Sequence, residues 1–258
     1  MGYDIWILLL GAAAGIACGF LNTAASSGSA VSLPILMLIG LDPISANATN
    51  RIPVLIGALS ATLSFHKKKA LPWKLAARVC LPVTIGGIFG VILAEIMPAR
   101  NLGLVITAAV LIALVLLFTK LKAAIEQSIS LDPPRYGARE FLIFLGIGAW
   151  LGFIVLDGAT YLLLALTMAV GLNLTHANAV KTAALVPVTM VAMLMFAYNG
   201  NVDWKIGAFM GAGSVVGGLL GARLATSPSA RKWVYMLLVI VISGELLHLA
   251  MHYVFQTH

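Results

Sequence analysis

Two basic residues stand in apolar surroundings. Arg51 follows Asn47 by four positions, Lys181 follows Asn178 by three, and both lie in long runs of apolar residues. A cation within a transmembrane stretch costs about 2.5 to 3.5 kcal/mol on insertion scales, so something must compensate each one. One compensation is snorkelling of the long stem to the headgroups; the other is an anion. Two interruptions of the apolar pattern favour the anion. The stretch Asn22-Thr23-Ala24-Ala25-Ser26-Ser27-Gly28-Ser29 replaces bulky side chains by small polar ones, and Val155-Leu156-Asp157-Gly158-Ala159-Thr160 makes a second polar break. Backbone released from a helix inside a bilayer must line a cavity or be buried in protein, because lipid offers no hydrogen-bond partner. Short apolar pieces follow both breaks, at 30–40 and 158–171, and their first N–H groups and positive dipole ends would point into the breaks. The candidate anion-binding residues are therefore Ser26, Ser27, Gly28, Asn47, Arg51, Asp157, Gly158, Asn178 and Lys181. Asp157 has three further readings: a simple helix cap, a partner for Arg51 or Lys181 in the resting state, or a group that takes up a proton as the anion moves.

Glu245, His248 and His252 share one helix face at spacings of three and four, a geometry that can hold a metal and would suit a membrane-embedded metalloenzyme. The sequence has no second cluster to complete the coordination, and it has no nucleophile elbow, phosphate loop or paired carboxylate motif. Neither catalysis nor a cofactor is expected.

The elements that must position these residues come in two copies. Asn47 and Asn178 are 131 residues apart, and the same offset relates Gly40-Leu41 to Gly171-Leu172, Trp73-Lys74 to Trp204-Lys205, and Gly86-Gly87 to Gly217-Gly218. A duplicated apolar unit is a common build of membrane transporters, whose sites lie where the copies meet. With 61% hydrophobic and 10% charged residues, the chain lies outside the range of water-soluble domains. Its mean hydropathy of +1.02 agrees. The fold class expected is all-α: a polytopic membrane helix bundle of two repeats with 8 to 10 membrane segments. Runs of about 20 apolar residues, enough to span, fall at 4–24, 44–65, 73–96, 101–119, 139–156, 174–198, 204–226 and 231–254. Residues 1–119 make the first repeat, 120–138 a hydrophilic cytoplasmic linker, and 139–258 the second repeat.

The net charge of +7 does not indicate nucleic acid, because the basic residues fall in short loops between apolar spans. If the short pieces cross, each copy has five spans and the second copy is inverted. Twelve basic residues then share one side and only Arg100 and Lys205 the other, whereas parallel copies with re-entrant pieces divide the same residues ten against four. The first division fits the positive-inside rule better and puts both termini outside. Asp4 replaces the basic start of a secretory signal, so the first apolar run is read as a retained helix. Cys18 and Cys80 lie in apolar stretches and suggest no disulfide framework. Gly11, Gly15 and Gly19, and likewise Gly213, Gly217 and Gly221, form small-residue stripes for close helix packing.

The polar break before a proline-bearing short helix (Pro34) and the Gly-Leu-x4-Ala-x-Ala element combine with a loop, Gly200-Asn201-Val202-Asp203-Trp204-Lys205, that leads into Gly217-Gly218-x-x-Gly221-Ala222-Arg223. Together they resemble the TauE/SafE family of sulfite and organosulfur anion exporters, from about residue 8 to 250. That resemblance implies a multi-pass permease of the bacterial inner membrane for small sulfur-containing or carboxylate anions, without a bound cofactor. The partners expected are the small anion and the lipid bilayer; proton or sodium coupling, an uncoupled anion channel and a homodimer stay open. The family usually carries a run of glycines in both breaks, where this chain has Ser26-Ser27-Gly28 and Asp157-Gly158-Ala159.

Overall fold

A computed structural model describes residues 4–24, 26, 28–97, 134–227 and 236. Their regular structure is helical: α1 (Ile5–Ala24), α2 (Gly28–Leu38), α3 (Pro43–Thr49), α4 (Arg51–Lys67), α5 (Trp73–Ile96), α6 (Ala138–Phe153), α7 (Gly158–Met168), α8 (Leu174–Tyr198) and α9 (Trp204–Ala225). Four of them, α1, α5, α8 and α9, are long and apolar enough to cross a membrane. Together they make a multi-pass membrane bundle, as the composition requires. The apolar runs at 101–119 and 231–254 lie outside the described residues.

Two expected spans are shorter than the apolar runs that suggested them. The run at 44–65 divides at Asn50 into α3 and α4. Pro53 has no N–H to offer the Thr49 carbonyl, which removes one bond from the ladder at that point. The run at 139–156 stops at Phe153, because Ile154 is extended at φ −139°, ψ 139°. In the first copy the short helix α2 begins at Gly28, two residues earlier than its apolar run. The offset of 131 persists in the element boundaries: α3 and α4 together occupy 43–67 and α8 occupies 174–198, while α5 starts at Trp73 and α9 at Trp204.

Close glycine contacts give the helix directions. Gly15 of α1 faces Met210 of α9, and Gly19 faces Ser214; Gly207 and Gly211 of α9 face Ile52 and Ile56 of α4. Thus α1, α4 and α9 run the same way. In the same manner Gly86 of α5 faces Leu145 of α6 and Gly90 faces Ala149. Cys80 reaches Ala183 of α8, while Gly87 lies against Val188, so α5, α6 and α8 also share a direction. Asp203 N, at the start of α9, donates to Thr49 just before α4. Asn199, four residues upstream, donates to Glu95 near the end of α5. The start of α4 and the end of α5 therefore share one end of the bundle, and the two triplets run in opposite directions. The first helix of one copy, α1, opposes the first helix of the other, α6. α2 folds back along α1: Gly28 lies against Cys18 and Asn22, and Ser32 and Cys18 meet at Asn50.

The basic residues follow this geometry. Lys67, Lys68, Lys69, Lys74, Arg78, Arg139 and Arg223 belong to the end of α4, the starts of α5 and α6, and the end of α9. Lys68 bonds Thr226, and the Tyr136 hydroxyl donates to the Arg78 carbonyl, tying these ends together. Lys205 lies at the other end. Side chains such as Trp6, Leu63, Phe89 and Leu194 are exposed, as contact with lipid tails requires.

Two outcomes are expected. A Cβ on Gly152 would lie 1.9 Å from the Gly87 carbonyl oxygen, whereas one on Gly146 meets nothing within 4 Å. Gly152→Ala should cost about 1–3 kcal/mol in detergent unfolding, and Gly146→Ala should be neutral or mildly stabilising. In a cysteine-free background, an impermeant maleimide applied to intact cells should label Asn201→Cys but not Lys69→Cys, the outcome that the positive-inside rule predicts for the lysine-rich end.

Candidate functional site

Each broken helix is held by a cation from the other copy. α6 ends at Phe153, leaving its last carbonyls without intrahelical partners. Arg51 supplies them: Nη1 donates to Leu151 O and Nη2 to Gly152 O, both at 2.7 Å. Asn47, one turn earlier, donates through Nδ2 to Phe153 O at 3.2 Å and accepts Val155 N at Oδ1 at 3.1 Å. Arg51 is 1% exposed, and its guanidinium carbon lies 5.3 Å from the centre of the Phe196 ring, a cation–π contact.

The first break is built the same way. Lys181 Nζ donates to Asn22 O at 2.8 Å, Thr23 O at 3.2 Å and Ser26 Oγ at 2.8 Å. It also donates to Asn178 Oδ1 at 2.9 Å. Asn22 Oδ1 then accepts Gly28 N at 3.0 Å and ties the start of α2 to the end of α1. Lys181 is fully buried. A cation against the negative end of a helix dipole is favourable electrostatics. Neither cation snorkels.

The two breaks touch, because Thr160 Oγ1 at the start of α7 donates to Ser26 O at 3.3 Å. Ser26 and Asp157, related by the 131-residue offset, both have left-handed backbone, at φ 65° and 56°. Outside glycine this conformation is uncommon and more readily adopted by Asp than by most residues. Gly28 is required by close approach: a Cβ there would lie 2.1 Å from Cys18 O.

What the breaks leave unbonded is as informative. Eight buried side-chain polar atoms among the described residues have no hydrogen-bond partner, and six belong to this region: Ser29 Oγ, Asn50 Nδ2, Arg51 Nε, Asn178 Nδ2 and both carboxylate oxygens of Asp157. A buried polar atom without a partner costs about 1–3 kcal/mol, so their concentration in one place calls for a functional reason. Four are donors of the kind that bind an oxyanion. The exception is Asp157, 2% exposed, whose carboxylate bonds neither Arg51 nor Lys181 and does not cap α7. The expected pairing of Asp157 with a cation is absent.

Of the expected site residues, Ser26, Gly28, Asn47, Arg51, Asp157, Gly158, Asn178 and Lys181 all fall on the two breaks or on the helices that brace them. Ser27 lies outside the described residues, as do Glu245, His248 and His252. Among the described residues, no group of three His, Cys, Asp or Glu is placed to hold a metal. Sequence reasoning did not include Asn22, Ser29, Asn50 and Phe196 in the site. Asn50 could have been found by the offset, since it is the counterpart of Lys181; its Oδ1 accepts Ser32 Oγ at 2.6 Å.

The family described as sulfite exporter TauE/SafE matches residues 11–246. The chain is 26% identical over 225 residues to a "Probable membrane transporter protein" of Haemophilus influenzae, covering 87% of this chain and 86% of the relative. It is 29% identical over 229 residues to the "Probable membrane transporter protein ORF9" of Sinorhizobium, covering 86% and 84%. It is 27% identical over 235 residues to the "Probable membrane transporter protein YfcA" of Escherichia coli K12, covering 89% and 86%. No solved structure matches the chain significantly.

Lys181→Met strands two helix-end carbonyls, so it should lower the unfolding free energy in anion-free detergent by about 2 kcal/mol or more. Lys205→Met, at the exposed start of α9, should leave it unchanged.

Proposed function

This chain belongs to the sulfite exporter TauE/SafE family, and we propose that it is a secondary transporter. The reading is that it carries a small anion (sulfite, another sulfur-containing anion or a small organic acid) across the bacterial inner membrane through the contact between its two breaks. The observation that carries this reading is the gathering of unused buried donors from both copies: Ser29 and Asn50 from the first with Arg51 Nε, and Asn178 from the second. Each donor loses its hydration on burial and recovers a partner only when an acceptor-rich guest arrives. Small oxyanions present several acceptors in a compact shape. The names of the relatives, each a "Probable membrane transporter protein", agree with transport rather than catalysis.

The donors are fixed before the anion binds. Arg51 and Lys181 keep their backbone bonds and supply charge, while the unbonded N–H and O–H groups supply contacts. Charged hydrogen bonds inside a low-dielectric site are stronger than the same bonds in water. Because the first helices of the copies oppose one another, rocking one copy against the other exposes the same site alternately to each side. On this reading Asp157 is ionised while the anion is bound and takes up a coupling proton once the anion has left.

Ser29 separates binding from bracing, because its hydroxyl bonds nothing in the described structure. Purified protein titrated with sulfite, thiosulfate and small carboxylates should show a rise in melting temperature with at least one of them. Ser29→Ala should melt like the parent protein without anion but bind that anion about tenfold more weakly, the loss expected for one hydrogen bond to a charged group. An unchanged anion response in Ser29→Ala would remove this residue from the site.

A further inference from the structure

The two breaks are equivalent in shape but not in charge. Ser26 in the first and Asp157 in the second occupy the same place by the offset and by their shared left-handed backbone. The helix that follows the first break, α2, has no acid in its first turn. The helix that follows the second break, α7, starts directly after a carboxylate. Near the N-terminus of α2 lie Ser29 Oγ, on a residue 1% exposed, and Asn50 Nδ2, on a residue fully buried, both without partners. Asn50 lies against α2, because Ser32 donates to its Oδ1. In the second copy the counterpart of Ser29 is Thr160, whose hydroxyl is already bonded to Ser26 O.

We infer that the breaks play different parts: the first seats one singly charged anion, and in the second Asp157 is a tethered counter-anion, so that the charge of the site selects monoanions over dianions. This inference rests on the anion-transport reading above. The count behind it is short. Among the described residues the buried charged groups are Arg51, Lys181, Asp157 and Glu140. Glu140 sits at the opposite end of α6, where its carboxylate accepts Gly137 N at 2.8 Å. With Asp157 ionised, the remaining three sum to one positive charge. The two helix C-termini facing the cations and the two N-termini at the breaks cancel in sign. One monoanion therefore neutralises the site, whereas a dianion leaves a net negative charge buried in a medium that solvates it poorly.

Methanesulfonate and sulfate test this, because they are alike in size and tetrahedral shape and differ by one charge. Melting-temperature titrations of the full-length protein in detergent, at neutral pH and matched ionic strength, give the apparent affinity for each. The parent protein should prefer methanesulfonate by about tenfold or more. Asp157→Ser, which places in the second break the residue of the first, and Asp157→Asn, which keeps the shape of the side chain, should each shift the ratio toward sulfate by about tenfold or more. Equal affinities in the parent protein overturn the inference, and so does an unchanged ratio in whichever variant folds. The parent ratio decides it if neither variant folds. If no anion in either this pair or the wider series of sulfite, thiosulfate and carboxylates raises the melting temperature of the parent protein, the transport-site reading itself fails. Binding with the wrong charge preference defeats only the inference drawn here.

Discussion

A helix that stops inside a membrane leaves carbonyl groups that lipid cannot satisfy, and the architecture follows from where the missing partners come from. Here they come from the other half of the chain. Arg51 of the first copy bonds the end of α6, and Lys181 of the second bonds the end of α1. Each broken helix is thus finished by the other copy. Desolvating a lysine or arginine is costly, but each cation here meets the negative end of a helix dipole and at least two carbonyls. One set of bonds solves two problems, the buried charge and the orphaned backbone.

Close packing makes this exchange geometrically available. Gly15, Gly86, Gly90, Gly148 and Gly152 each lie so near a carbonyl of a neighbouring helix that a Cβ could not be added without a shift. The backbones of α1 and α9, and of α5 and α6, can therefore approach at small separation. That approach carries the breaks inward until Thr160 touches Ser26. The stripes position the site without contributing a group to it. After the bracing bonds are made a surplus of buried donors is left, and it is unequal between the copies: Ser29, Asn50 and Arg51 Nε in the first, and Asn178 in the second.

Much of this was legible in the sequence. The offset of 131 residues predicts the boundaries of α5, α8 and α9 from those of their partners, and the polar stretches mark both breaks to within a few residues. The ends of elements were less legible. Pro53 divides a run that hydropathy reads as one span, because hydropathy registers how apolar a residue is and not whether it can donate a ladder bond. The stop of α6 at Phe153 is equally invisible in composition, since Ile154, Val155 and Leu156 are as apolar as the helix before them. Arg51 and Lys181 were conspicuous as misplaced charges, yet their partners are backbone carbonyls about 100 and 159 residues away in sequence, and a carbonyl carries no sequence signal.

By itself the sequence determined the membrane, the duplication, the two interruptions and the cations that had to be compensated, because each is a matter of residue type and spacing along one dimension. Only the tertiary structure decided that each cation crosses to the opposite copy, that Asp157 remains without a hydrogen bond, and that Ser29, Asn50 and Asn178 keep donors unused. The physical reason is that a hydrogen bond depends on the direction and distance of two groups in space. Those are settled only when the glycine-lined helices have packed and every nearby carbonyl has found, or failed to find, its donor.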